Sequence, residues 1–249
     1  MLHIIVFSPS NTTREYARAM AKETGQEKKS YNLAAQKFTP FSLDDPDDDV
    51  LLLVPVYGGR VPALAAERIK SIEGCGQRTF IAVVYGNRDY DDALLELADL
   101  ATEAGLEVVA AGAFIGQHCI FPRVAAGRPD ASDRQAASRF MKEALNHHSH
   151  LDLDRIKGTR PYKKYGAVPF RPETDRGVCA SCGTCVRECP AGAISAGTLK
   201  TDPAKCIACG RCIAMCPRKS RGFRSLLHKS VGLIFGAQNK RRLEPEWWI

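Results

Sequence analysis

No stretch of this chain approaches the roughly 20 consecutive apolar residues that a membrane-spanning helix needs. The longest apolar runs, such as Val50 to Val54 and Phe80 to Val84, are strand-sized. The opening segment, Met1 to Phe7, lacks a basic n-region and an adequate apolar h-region, so no secretory signal is expected and a cytoplasmic location is. No G-x-G-x-x-G follows the first apolar run, which argues against a dinucleotide site. A Ser-His-Asp or Cys-His pattern that would demand hydrolytic chemistry is missing as well. What remains, at 45% hydrophobic and 25% charged residues, is the composition of a soluble globular protein. At 249 residues it has room for one large domain or two unequal ones.

Charge is unevenly spread. Residues 1–150 carry a formal −4 and residues 151–249 carry +11. A basic half can attract nucleic acid, anionic lipid or an acidic protein; nucleic acid is not expected here, for a reason given with the cysteines.

The first 150 residues alternate apolar strand-like runs with helical patterns. Strands are expected at Leu2 to Phe7, around Ser30 to Leu33, at Val50 to Val56, Thr79 to Tyr85 and Glu107 to Ile115. Helices are expected from Thr12 or Thr13 to before Gly25, then at Ala63 to Ser71, Asp91 to Ala104 and Ser132 to His147. Uniformly apolar, β-branched runs suit parallel strands covered on both faces. Right-handed crossovers then give an α/β, flavodoxin-like, doubly wound five-stranded parallel sheet, whose ligand crevice lies beyond the carboxyl ends of its strands. Residues 151–175, rich in Pro, Gly, Lys, Arg and Tyr, read as a linker. A small cysteine-dense α+β domain at 176–218 follows, and then a basic tail at 219–249.

The cysteine block carries the strongest signal. Cys179, Cys182, Cys185 and Cys189 precede Pro190, and Cys206, Cys209, Cys212 and Cys216 precede Pro217. Both runs are C-x2-C-x2-C-x3-C-P, offset by 27 residues. Thiolates at this spacing can occupy three corners of one [4Fe-4S] cubane, while the fourth cysteine starts a helix and reaches the other cluster. Cys179, Cys182, Cys185 and Cys216 are therefore assigned to one cluster, and Cys206, Cys209, Cys212 and Cys189 to its partner. Disulfides would need an oxidising compartment; zinc usually takes two pairs with a longer spacer. Two dianionic clusters would cancel about four of the positive charges in this half, which accounts for much of its basicity without nucleic acid. The segment 174–218 resembles the two-cluster bacterial ferredoxins. Cys75 and Cys119, outside the repeat, read as packed or incidental thiols, and His147-His148-Ser149-His150 as a solvated helix end.

Three loops at strand carboxyl ends are candidates for a second cofactor. Ser8, Ser10, Asn11, Thr12 and Thr13 follow the first strand and can form an anion cradle at a helix N-terminus without lysine. This resembles the flavodoxin phosphate loop, with Asn11 where that family usually has Gly; Asn tolerates left-handed backbone. The loops containing Tyr57, Gly58 and Gly59, and Asn87 and Tyr90, follow the third and fourth strands. The resemblance implies that they flank the ring of an FMN. The order of parts resembles a family of flavodoxin–ferredoxin fusions, many of anaerobic habit.

The resemblance implies an iron–sulfur flavoprotein that passes electrons between two [4Fe-4S] clusters and FMN. One alternative is an oxidoreductase reducing a small molecule at the flavin, marked by an open pocket with a proton donor. The other is a ferredoxin whose first domain binds no flavin and only docks a partner. Asp91-Asp92 is read as helix capping. In the tail, Arg218, Lys219, Arg221, Arg224 and Lys229 accompany Phe223, Leu226, Leu227, Val231, Leu233, Ile234 and Phe235. A helix packed back over the first domain is expected, steering an acidic redox partner, in preference to one lying on lipid.

Overall fold

The computed structural model describes residues 1–147, 149–166 and 168–249. His148, within the histidine run considered above, lies outside the described residues. In chain order the elements are β1 (Leu2–Val6), α1 (Thr12–Lys22), β2 (Lys28–Asn32), β3 (Phe41–Ser42), β4 (Asp49–Pro55), α2 (Ala63–Ile69), β5 (Ile72–Glu73), β6 (Arg78–Tyr85), α3 (Ala93–Glu103), β7 (Glu107–Ile115) and α4 (Ala131–Leu145). After a single 3₁₀ turn at Leu153–Arg155 come β8 (Glu173–Thr174), α5 (Thr184–Arg187), α6 (Arg211–Ala214), β9 (Arg221–Gly222), α7 (Leu226–Gln238) and β10 (Glu246–Trp248).

Five strands pair in parallel in the order β2-β1-β4-β6-β7. That is the 2-1-3-4-5 order of the flavodoxin-like doubly wound fold. Alternation along β4 shows why both faces must be covered. Val50, Leu52 and Val54 enter one core beneath α2 and α3, with Leu94, Leu97 and Ile69. Leu51 and Leu53 enter the other beneath α1 and α4, with Tyr16, Met20, Phe140 and Met141. Successive side chains point to opposite faces of a strand, so an all-apolar run requires helices on each side.

A sixth strand was not foreseen. The tail returns to the sheet as β10, antiparallel to β7, with Trp247 opposite Gly112. Trp247 packs toward Phe140 and its indole N–H donates to Glu143 at 2.8 Å. An uncovered β7 would present a row of unpaired backbone groups, and β10 satisfies part of it. On the far edge, β2 carries Lys28 and Lys29, which discourage pairing with another chain.

The linker is fastened to the first domain by carboxylates. Asp92 stands at the N-cap of α3 but caps nothing with its side chain. Its oxygens instead accept from the Thr159 N–H at 3.0 Å and the Lys163 N–H at 2.7 Å. Asp91 pairs with Arg88 and Lys163. The capping expected of this pair is thus replaced by linker fastening, because both Asp92 oxygens are taken by the linker's backbone donors. Arg60, paired with Glu96 at 2.7 Å, lies against the rings of Tyr162 and Tyr165 and holds the strap further along.

Candidate cluster-binding cysteines and the adjoining cavity

The 27-residue sequence repeat is also a conformational repeat. Gly183 and Gly210 take left-handed backbone (φ 69° and 72°) immediately before the short helices α5 and α6. Ser181 and Ala208 share φ 52°, and Gly192 and Lys219 take 57° and 50°. The Thr174–Arg221 pairing in β8–β9 is mirrored by the Ile194–Thr201 bridge, one repeat away on each strand. The repeat thus gives two loops of one shape whose flanking strands pair in exchanged fashion, an arrangement compatible with reciprocal donation of the fourth cysteine.

Backbone donors reach the sulfurs in matching pairs. The N–H groups of Ser181 and Ala208 donate to Cys179 and Cys206, both at 3.4 Å. Those of Ala193 and Ser220 donate to Cys189 and Cys216 at 3.3 and 3.2 Å. Such bonds stabilise electron-rich sulfur and tune reduction potential. None of the ten cysteines is in a disulfide. Burial pushes the thiols of Cys185, Cys206, Cys209 and Cys212 up, so thiolates there call for a cationic metal to compensate them. Cys182 is exposed and its thiol is lowered by the Thr184 hydroxyl. At Cys216 burial opposes ionisation, but the Ser220 hydroxyl and nearby backbone N–H groups outweigh it. Among the described residues no three His, Cys, Asp or Glu side chains gather tightly enough to hold one metal ion. A cubane does not call for such convergence, since each of its thiolates sits on a different iron. The donor set therefore fits iron–sulfur clusters.

Arg221 is buried between the two loops. Its guanidinium donates to the hydroxyls of Thr174 and Thr201, both at 2.6 Å, and to the carbonyls of Leu199 and Pro172 at 3.0 and 2.9 Å. Its fifth partner is Cys212 Sγ at 3.8 Å. No carboxylate among the described residues pairs with it, and its charge favours the thiolate forms of Cys185, Cys206 and Cys212. A buried cation needs a compensating anion. Here the cysteines' own sites are the available source.

The cysteine domain is seated on the carboxyl edge of the sheet. Arg211, ion-paired with Glu188, donates to Pro9 O at 3.2 Å; Arg68 donates to Pro190 O at 3.2 Å and Gln36 to Val186 O at 3.0 Å. Between the two lies a cavity of about 270 Å³. Ser10, Thr12 and Thr13 line it from the loop after β1, and Tyr57, Gly58 and Gly59 from the loop after β4. Ile207 and Ala208, between ligand candidates Cys206 and Cys209, line it from the other side. Val168, Phe170 and Phe235, from the linker and α7, complete its wall. Tyr57 lies close enough to Cys119 and Cys209 for their thiolates to push its phenol up, an effect second to its burial. Asn11 does take left-handed backbone (φ 69°), a conformation that Asn tolerates.

Four of the loop residues singled out from sequence do not line the cavity: Asn11, Ser8, Asn87 and Tyr90. Ser8 is buried and its hydroxyl accepts from the Arg14 N–H at 3.0 Å, which ties down the first turn of α1 instead of lining the cavity. Asn87 is occupied by the tail: its amide donates to Asn239 O and Arg241 O at 3.0 and 2.7 Å and accepts from the Leu243 N–H at 3.2 Å. Tyr90 is fully buried against Tyr85, under the Lys157 ammonium, so it cannot cover a ring in the cavity.

Sequence reasoning missed the loop after β7, where Gln117, His118 and Cys119 line the cavity. The Nδ1 atom of His118 accepts the N–H groups of Ile120 and Phe121 at 3.2 and 3.1 Å. Its proton is thereby fixed on Nε2. Burial, helped by the nearby Arg88 charge, lowers its pKa to about 4, so the ring is neutral at pH 7. Cys119, which reads from sequence as a packed or incidental thiol, is packed at the junction, its Sγ 3.9 Å from Ala208 O and its thiol pushed up to about 11 by burial. Cys75 is exposed and donates to Leu43 O at 3.2 Å, remote from the cavity lining.

Residues 171–217 match the 4Fe-4S dicluster domain family. The chain joins this 4Fe-4S domain to a flavodoxin-like domain, an assignment of the latter that rests on its strand order. Among solved structures it is similar to oxidised flavodoxin 1 of Bacillus cereus (19% identity, TM-score 0.40), covering 59% of this chain and 99% of that one. Flavodoxin 2 of the same organism is 14% identical with a TM-score of 0.42, over 58% and 97%. A Fusobacterium nucleatum flavodoxin bound to flavin mononucleotide is 11% identical with a TM-score of 0.39, over 58% and 96%. No curated protein matches the chain.

Proposed function

We propose that this protein is an electron carrier in which two [4Fe-4S] clusters feed, or draw from, an FMN at the carboxyl edge of the sheet. The observation that carries this reading is the shared cavity, lined on one side by flavodoxin-like loops and on the other by Ile207 and Ala208 of the second cysteine loop. Ser10, Thr12, Thr13 and the N-terminus of α1 suit a phosphate, and Tyr57 with Gly58 and Gly59 suits the edge of a ring. Bound there, FMN would exchange one or two electrons where each cluster exchanges one.

Burial of the cysteines supports an order of centres, without a direction of flow. The quartet Cys206, Cys209, Cys212 and Cys189 adjoins the cavity and is the more buried. The quartet Cys179, Cys182, Cys185 and Cys216 is the more open, with Cys182 at the surface. Electrons would be exchanged with a redox protein near Cys182, cross between the clusters beside Arg221, and pass to or from the cavity through Cys209 and Tyr57. Arg221 would offset the negative charge of both clusters and ease their reduction. Iron, sulfide and FMN assays on protein purified without oxygen test the cofactor set. About eight irons and one FMN per chain are expected, and absence of FMN from folded, iron-loaded protein would leave only the docking-module reading.

One observation favours a second reading, reduction of a small molecule at the flavin. His118 presents a fixed Nε2–H donor among the cavity residues, and Tyr90 does not close the site. Turnover of an added electron acceptor that depends on His118 while cluster reduction does not would select it.

A further inference from the structure

The tail helix α7 has two unlike faces. Its inner face, His228, Val231, Gly232 and Phe235, packs on Phe121 and Phe170. The His228 ring stacks on Phe121 and bonds Ile120 O at 2.8 Å. Its outer face exposes Leu226 (80%), Leu227 (58%), Leu233 (66%) and Ile234 (60%), one turn-related stripe. Elsewhere among the described residues only Met1, Tyr165 and Val178 are comparably exposed large apolar side chains, and they are scattered. The four on α7 are contiguous, and such patches mark interaction sites.

The surrounding charge selects the occupant. Residues 218–243 contain eight Lys and Arg and no Asp or Glu. Arg224 and Arg242 are engaged with carboxylates. Arg218, Lys219, Lys229, Lys240 and Arg241 form no ion pair among the described residues; Lys229 lies on α7, Lys240 and Arg241 directly follow it, and Arg218 and Lys219 precede it in the chain. A second copy docking by the same face would set these five unpaired cations against five, so self-association is opposed. An exposed aliphatic stripe on a helix with unpaired cations on it and in the adjoining chain matches an anionic lipid surface, where the apolar stripe enters the acyl boundary and the cations meet headgroups.

We infer that α7 docks this protein on anionic membrane surface, lying in the plane of the interface. Its 13 residues span about 20 Å, short of the hydrocarbon thickness of a bilayer. No helix among the described residues is long and apolar enough to cross one. Both ends are pinned to the body, by β9 before and by Asn87 and β10 after, so the helix presents its outer face without leaving the fold. Phe235 on the inner face lines the cavity, which places that cavity beneath the docked helix. The inference stands whether or not the cavity takes FMN.

The experiment is sedimentation of the whole, cluster-loaded protein with phosphatidylcholine vesicles with and without phosphatidylglycerol. Partition into the vesicles containing phosphatidylglycerol, weakened by added salt, is expected. The double variant Leu233→Ser, Ile234→Ser should lower that partition about tenfold or more while its cluster absorbance is retained. Lys229→Gln with Lys240→Gln should weaken it without touching the apolar stripe, and serves if the first variant fails to fold. No partition by the wild type, or partition indifferent to both variant pairs, overturns the inference. So does a concentration-dependent dimer that the Leu233→Ser, Ile234→Ser pair abolishes, which would assign the face to a second copy.

Discussion

His118 shows how one residue can be read from its surroundings. Burial, helped by the Arg88 charge, lowers its pKa to about 4, while two backbone N–H groups on Nδ1 hold the neutral tautomer in place. The unfolded chain takes up this proton near pH 6.5 and the folded chain only near 4. The contribution to stability is therefore complete above about pH 7, declines as pH falls through that window, and is gone by pH 4. The full loss is about 3 kcal/mol. Urea unfolding of wild type and His118→Gln between neutral and mildly acid pH should show the wild type losing its advantage as pH falls; parallel curves would contradict this. Arg221 makes an independent prediction at the same scale. On the proposed cofactor set, Arg221→Gln should make the iron–sulfur centres harder to reduce by about tenfold in equilibrium, roughly 59 mV for a one-electron couple, and Arg221→Lys should restore part of the shift. Potentiometric titration checks it, and potentials unmoved in the glutamine variant would remove Arg221 from the electrostatics of the clusters.

At the scale of elements, the sheet and its covering were legible because apolar β-branched runs of strand length leave little choice of partner. Val50 to Val54 must be buried on both faces, and its alternate residues do enter two separate cores. The cysteine repeat was legible for the same reason, since its spacing is dictated by the geometry of what it holds. What was not legible depended on contacts between distant segments. Asn87 was read as a cavity residue because it follows a strand end, yet Asn239, Arg241 and Leu243 claim its amide from more than 150 positions away. The strand β10 has three residues and no alternation to detect, and only β7 gives it meaning. The loop Gly116 to Phe121 carried one available signal: it follows the last parallel strand and so opens on the same edge as the others. Because Asn87 clamps the tail, Asn87→Ala should cost about 2–3 kcal/mol through three lost hydrogen bonds. It should also raise hydrogen exchange across residues 239–249. Exchange unchanged there would show that β10 holds the tail by itself.

For the whole molecule, the seating of the cysteine domain is what turns two modules into one device. Arg68, Gln36 and Arg211 each bond backbone across the junction, the first two to the first cysteine run and the third from the second, so both runs are tied to the first domain by bonds outside the linker. The most direct test is anaerobic reduction of the iron–sulfur centres in reconstituted protein, with the flavin absorbance followed in the same chain. The account predicts that FMN bleaches at a rate independent of protein concentration. FMN that stays oxidised beside reduced clusters, or bleaches only by encounter between molecules, would contradict it.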